Sequence, residues 1–422
     1  MRRNSLTSSV ASLYILQISN YLIPLITLPY LVRTLGGEYF GLISFAYSLT
    51  FFMVLLIDSG YNLIGLQKIS TLGNAEIDRT HIRKYFWVTQ IVKFFMAIVC
   101  FAVLCGCVFL IPGLRMHWPV YLLSYLTVLG SLFFPIWAFQ GLEQMKFIAV
   151  LHISGRLISA VGIILFVKGP DDYIFATFLQ SSATLFSGLL ACPILFYKLK
   201  IHWLWPGVTE VWQDFLKGRQ YFFSDFASTA LANSSVFMLG LFQVNEIVGI
   251  FSAIEKLTRA MISGFAPIQR GFFPRVAKTY SESKSKGARM ATKLIILIMI
   301  GALMMFMGTA IFSEMILKLT FGNKIASYSS ILGIMGLWAA FSVSNTSLIE
   351  YVFVAQNKLT MLSRFQHVGS LVLLIGIPCS SYFGGDQALF GVACSMTISQ
   401  ALVFVLLLNY WLRDQQMESR LT

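Results

Sequence analysis

Charge is what this chain has least of. Only 12% of its 422 residues are charged, about half the share of an ordinary soluble domain. Hydrophobic residues reach 57% and the mean hydropathy is +0.75, so a water-soluble globule is excluded and the solvent has to be lipid. Acidic residues are the scarcer sign, 18 against 31 basic ones. Other absences narrow the chemistry. Six cysteines (Cys100, Cys105, Cys107, Cys192, Cys379 and Cys394) lie in or beside apolar runs without metal-type spacing, and they read as small hydrophobes. The five histidines stand singly, which offers no metal cluster. No GxxxxGK[ST] phosphate loop occurs, so no ATPase is built in. No long loop carries the paired carboxylates expected of a lipid-dependent glycosyltransferase or polymerase. Neither catalysis nor a cofactor is expected.

What is present is a series of long apolar runs. They lie near residues 8–33, 39–66, 84–111, 118–141, 146–168 and 173–198, then near 219–243, 246–274, 289–319, 325–355, 359–383 and 386–412. A spanning helix needs roughly 20 apolar residues, and hydrocarbon forbids unpaired backbone, so the runs must be helical. The expectation is an all-α integral membrane protein with about twelve transmembrane helices on the length rule. The run after Arg2 and Arg3 exceeds the roughly 7–15 residues of a signal-peptide core and lacks a small-residue cleavage site. It is expected to be a retained first span.

Basic residues set the orientation. Alternate connections carry Lys68, Arg79, Arg83 and Lys84, then Lys146, then Lys198, Lys200, Lys217 and Arg219, and later Arg275, Lys278, Lys284, Lys286, Arg289 and Lys358. The intervening loops are short and poor in Lys and Arg, with Arg115, Lys318 and Lys324 as exceptions. The positive-inside rule then places both termini in the cytoplasm. The net charge of +13 is thereby explained as topology, and nucleic acid is not an expected partner.

The chain divides into an N-lobe (1–198), a linker (199–218) and a C-lobe (219–422). In the linker Val208, Val211, Trp212, Phe215 and Leu216 fall on one helical face and Thr209, Glu210, Gln213 and Asp214 on the other, the pattern of a helix lying in the cytoplasmic interface. A short repeat supports the division: Glu38-x-x-Gly41-Leu42-x-Ser44 recurs as Glu246-x-x-Gly249-Ile250-x-Ser252. Two same-orientation halves are a transporter layout, with the site where the repeats meet.

Five cations interrupt the apolar runs: Lys93, Arg156, Lys256, Arg259 and Arg270. A cation at the bilayer centre costs roughly 3 kcal/mol on insertion scales, so such residues face a bundle interior or a watery cavity. Several of one sign point to an anion. Ser252, Lys256, Arg259, Ser263, Pro267 and Arg270 follow steps of four and three, which makes one stripe if the eighth span is a single helix. Span two carries Ser44, Ser48, Asp58 and Asn62, and span seven carries Asp225, Ser228, Thr229 and Asn233. Asp58, Asp225, Glu255 and Glu350 offer an alternative for the cations, as partners in structural salt bridges. The isolated Ser and Thr residues are more often helix-packing groups than ligands.

Several segments together resemble a known family. Asn20-Tyr21-Leu22-Ile23-Pro24-Leu25-Ile26-Thr27-Leu28-Pro29-Tyr30-Leu31-Val32-Arg33, followed by Leu35-Gly36-x-Glu38-x-Phe40-Gly41, is similar to the opening of bacterial O-antigen flippases. These form the polysaccharide-transporter branch of the multidrug/oligosaccharidyl-lipid/polysaccharide exporter superfamily. Asp58-Ser59-Gly60-Tyr61-Asn62-Leu63 resembles that family's second-span ending. Pro135-Ile136-Trp137-x-Phe139-Gln140-Gly141-x-Glu143-x-Met145-Lys146 resembles its fourth-span motif. Glu255-Lys256-Leu257 and Pro267-Ile268-x-x-x-Phe272-Phe273-Pro274-Arg275 resemble its eighth span. The resemblance implies two six-helix lobes around a central cavity, working by alternating access in the bacterial inner membrane. Its implied cargo is an undecaprenyl-pyrophosphate-linked O-antigen repeat unit, and its implied protein partners are a polysaccharide polymerase and chain-length proteins. On that reading Lys256 and Arg259 are the principal anion contacts, Arg156 and Lys93 add further contacts, and Arg270 meets the phosphate at the mouth. Asp58 and Asp225 are then candidates for gating or ion coupling. The competing class is a cation-coupled multidrug exporter of the related branch, whose cationic cargo fits a basic cavity poorly.

Overall fold

The computed structural model describes residues 2–58, 65–66, 76–198, 200–212, 216, 229–230 and 233–421. Among them the secondary structure is helical throughout, with no strand. Nine helical stretches are long and apolar enough to cross a membrane. Apolar side chains crowd their outer surfaces, for example Phe95 at 60%, Val99 at 62%, Leu303 at 58% and Ile311 at 65% exposed. Water would penalise such a surface, whereas hydrocarbon does not.

The chain forms two compact units, Met1–Asn233 and Ser234–Thr422. The expected lobe boundary after residue 218, and with it Asp225, lies outside the described residues. The first unit begins with α1 (Arg2–Asp58), in fact two helices joined at Gly36. Gly36 adopts φ 77° and ψ 171°, a region essentially closed to residues with a Cβ. One glycine thus replaces the loop expected at Gly36-Gly37-Glu38. There follow α2 (Glu76–Leu110), a fourth span in three pieces, α3 (Trp118–Ser124), α4 (Leu126–Phe133) and α5 (Ile136–Gly141), then α6 (Met145–Phe166) and α7 (Tyr173–Pro193). The break at Phe134-Pro135 follows from proline, whose ring excludes a helical predecessor and which lacks an N–H.

Small residues let these helices approach closely. A Cβ on Gly130 of α4 would stand 2.4 Å from the Leu185 backbone nitrogen in α7. The Ser187 hydroxyl of α7 donates to the Leu151 carbonyl of α6 at 2.9 Å. Without a hydrophobic drive between helices in lipid, close approach and such bonds carry the packing. The core at the loop end of α2 gathers Phe86, Phe134, Trp137, Phe139 and Leu195, all buried.

The second unit contains α8 (Ser235–Phe242), α9 (Asn245–Ser263), α10 (Ala266–Glu282), α11 (Lys284–Phe321), α12 (Ser329–Leu348), α13 (Leu359–Tyr382) and α14 (Asp386–Leu421). After α12 the helix widens to a π-turn, Ile349–Val354. The expected single stripe from Ser252 to Arg270 is corrected here, because the eighth span breaks at Gly264-Phe265. Pro267 sits in the first turn of α10, where its missing N–H costs nothing. Arg270 therefore stands on a different helix from Lys256 and Arg259.

The two copies of the short repeat share one local pattern. Glu38 and Glu246 are exposed near the starts of their helices, while Gly41, Leu42 and Ser44 match Gly249, Ile250 and Ser252 in being buried. A carboxylate in a first helical turn faces the positive end of the helix dipole, which accounts for the acidic position.

Candidate functional site

Lys256 is the one exposed residue between Ile247 and Thr258; every other residue of that stretch is buried. A largely buried stretch of α9 thus carries a single ammonium off its surface. One turn later Arg259, half-buried, is held in place. Its Nη2 and Nε donate to Glu255 Oε1 at 2.8 and 3.1 Å, and its guanidinium lies 5.4 Å from the centroid of the Trp338 ring, within cation–π range. The Ser235 hydroxyl from α8 also donates to Glu255 Oε1, at 3.1 Å. Glu255 is 5% exposed, so it is a buried counter-charge with three donors on one oxygen. Lys256 also interacts electrostatically with this carboxylate, so Glu255 stands between an ammonium and a guanidinium. Ser235 and Trp338 carried no signal in the sequence, because a serine and an aromatic inside apolar runs read as packing.

The first unit treats its cation differently. Lys93 of α2 is 1% exposed and its Nζ donates to Asp58 Oδ1 at 2.6 Å. Ser131 of α4 donates to Asp58 Oδ2 at 2.7 Å. Three elements, the end of α1, α2 and α4, are thereby tied at one carboxylate. Lys93 offers no surface to an incoming anion in this arrangement; it is given to Asp58. Arg156 of α6 is half-buried and stands within electrostatic reach of His152, whose ring meets Phe134 edge-on at 4.6 Å. Arg270 is exposed at the start of α10 and interacts electrostatically with Glu350 of the π-turn. The structure thus joins Lys93 to Asp58, sets Lys256 and Arg259 on adjacent turns of α9, and carries Arg156 on α6 and Arg270 on α10.

Chemically, Lys256 and Arg259 offer an ammonium point charge and a planar fork of donors, both suited to phosphate oxygens. The comparisons with known proteins bear on what such a site belongs to. A family model described as polysaccharide biosynthesis protein matches residues 6–280. An Escherichia coli (strain K12) protein, provisionally named an O-antigen transporter, is 30% identical over 410 residues, covering 95% of this chain and 97% of its own. The chain belongs to the polysaccharide biosynthesis protein family. A Shigella dysenteriae protein with the same provisional name is 26% identical, covering 95% of this chain and 98% of its own.

Solved structures share the fold of this family member. The lipid II flippase MurJ in an inward closed conformation superposes with a TM-score of 0.68 at 12% identity, over 96% of this chain and 87% of that one. The multidrug transporter DinF-BH superposes with a TM-score of 0.58 at 16% identity, over 98% of this chain and 95% of that one. The chain is a multi-pass membrane protein of the transport and polysaccharide-biosynthesis class.

Proposed function

We propose that this protein is a flippase for an undecaprenyl-pyrophosphate-linked oligosaccharide of the O-antigen type. It turns the cargo from the cytoplasmic to the periplasmic leaflet of the bacterial inner membrane by alternating access. About twelve spans, divided as a 1–198 lobe, a 199–218 interfacial linker and a 219–422 lobe with both termini cytoplasmic, make up the transporter. The names of the full-length relatives support the class of cargo. The observation that carries the reading is the exposed Lys256 on an otherwise buried stretch, with Arg259 oriented beside it by Glu255 and Trp338. A pyrophosphate is a dense anion, and in a site with little water its attraction to two fixed cations is poorly screened.

Arg156 serves as a further anion contact and Arg270 as the first to meet the phosphate. Lys93, held by Asp58, acts through that pair: Asp58 is the gating group of the 1–198 lobe, and Asp225 is assigned the corresponding part in the 219–422 lobe. A polysaccharide polymerase and chain-length proteins take over the delivered unit. The fold also supports drug exporters, but a surplus of basic groups repels the cationic cargo of that class. Complementation of an O-antigen transporter deletion separates the two. Lys256→Gln with Arg259→Gln should abolish the lipopolysaccharide ladder at normal membrane abundance, without changing drug susceptibility. A full ladder from the double variant would end the assignment.

A further inference from the structure

Beyond any cargo site, the first unit holds a cavity that the proposed transport does not use. A cavity of about 340 Å³ opens beside the loop end of α2, at the lower end of the size range of small-molecule pockets. Its walls include Trp87, Phe94, Phe133, Cys192 and Trp203, with Gln90 as its polar member. Phe94 and Phe133 are 53% and 38% exposed, so the mouth opens on an apolar surface that faces hydrocarbon in a multi-pass protein.

The cavity is closed at one end by a pinned strap. After α7 the chain reverses at Lys200, which has φ 55°, and Ile201 N–H donates to the Leu195 carbonyl at 2.9 Å. Arg83 Nε donates to the Lys200 carbonyl at 3.0 Å, and Trp87 Nε1 donates to the His202 carbonyl at 2.9 Å. Trp203 then packs on Trp87 with ring centroids 4.2 Å apart, while Trp203 and Trp205 remain 57% and 71% exposed. Exposed tryptophans mark the level of the membrane–water interface.

Along α2 the face from Arg83 through Trp87 and Gln90 to Phe94 runs from cationic through amphipathic to apolar, over about 16 Å at the helical rise. Lys200 adds a second cation at the strap, and Lys84 beside it is paired to Glu210 at 2.6 Å. That gradient has the order of a phospholipid: anionic head group, ester region, hydrocarbon chain. Gln90 is oriented by its Nε2, which donates to the Leu132 carbonyl at 2.9 Å. Its buried Oε1 has no hydrogen-bond partner among the described residues. It lies at ester depth, where a water bridging to an ester carbonyl would satisfy it.

We infer that this cavity is a binding site for one anionic phospholipid of the surrounding bilayer, with an acyl chain between Phe94 and Cys192 and the phosphate at Arg83 and Lys200. Basic pockets between spans at the membrane surface recognise anionic head groups in this way. The site is independent of the cargo, so its failure leaves the flippase reading intact.

Cys192 in the wall provides the readout, and the exposed Cys379 on α13 provides an internal control. The purified full chain in detergent is alkylated with N-ethylmaleimide while phosphatidylglycerol or phosphatidylcholine is titrated in, and each cysteine is followed by peptide mass spectrometry. Phosphatidylglycerol should slow alkylation of Cys192 about tenfold once it exceeds its dissociation constant by a similar factor, with Cys379 unchanged and phosphatidylcholine far weaker. Arg83→Gln with Lys200→Gln should reduce the protection to the phosphatidylcholine level. Equal protection by both lipids, or protection by a polyprenyl phosphate but not by phosphatidylglycerol, would overturn the inference. If the double variant does not fold, the two-lipid comparison on the unaltered protein decides the matter alone.

Discussion

Removing Asp58 should be far more damaging than removing it together with Lys93. At 2.6 Å between Lys93 Nζ and Asp58 Oδ1, the attraction is roughly 6 kcal/mol at an effective dielectric of about 20. Desolvation of both ions offsets much of that, which is why a buried pair contributes little net stability. The asymmetry lies in the single variants. Lys93 is 1% exposed, so Asp58→Asn strands a buried ammonium at a cost of about 3–5 kcal/mol. Lys93→Met should cost less, because the Asp58 side chain is 23% exposed and keeps the Ser131 hydroxyl. The double variant should return to within about 1–2 kcal/mol of the parent, a coupling of at least ~2 kcal/mol. Thermal unfolding of the four proteins in detergent, with protein abundance in membranes as a second reading, completes the cycle. Additive single effects, each under ~1 kcal/mol, would refute the claim that this pair is buried and coupled. Transport then tests the gating role. If the stable double variant still fails to complement, the pair carries function; if it complements fully, the pair serves structure alone.

Three other outcomes follow from the packing. Glu255→Gln removes the counter-charge that orients Arg259, so complementation should fall sharply while unfolding shifts by about 1–3 kcal/mol; unchanged complementation would show that Arg259 needs no positioning. Gly130→Ala drives a methyl to 2.4 Å from the α7 backbone and should destabilise the first unit by about 1–3 kcal/mol, measured as a lower unfolding midpoint. Gly36→Ala, at φ 77°, should cost about 1–3 kcal/mol of backbone strain, whereas Gly113→Ala, with open space around its Cβ and a position in the first turn of a short helix, should be nearly neutral.

Much of the membrane architecture was legible because lipid imposes it residue by residue. A run of apolar residues must be helical in hydrocarbon whatever lies beside it, so the spans could be located from composition alone. Nine candidate spans among the described residues, one of them two helices joined at Gly36, occupy ten of the expected runs. The eighth run escapes the apolar criterion for the reason that makes it interesting: Lys256, Arg259 and Arg270 lower its hydropathy and Pro267 divides it. The family was legible too, through Pro135-Ile136-Trp137 and the motif around Glu255-Lys256-Leu257, since the matched residues extend from 6 to 280.

The fates of the cations were not legible in this way. Sequence alone determined that Lys93, Arg156, Lys256, Arg259 and Arg270 interrupt apolar runs, because the energetic penalty attaches to the residue and its neighbours in the chain. Only the tertiary structure decided that Lys93 is consumed by Asp58, that Arg259 is steadied by Glu255 and Trp338, and that Lys256 stands exposed among buried neighbours. Those outcomes depend on which helices meet, and a helix's partners are set by close approach across it, at glycines such as Gly130, and not by any periodicity along it.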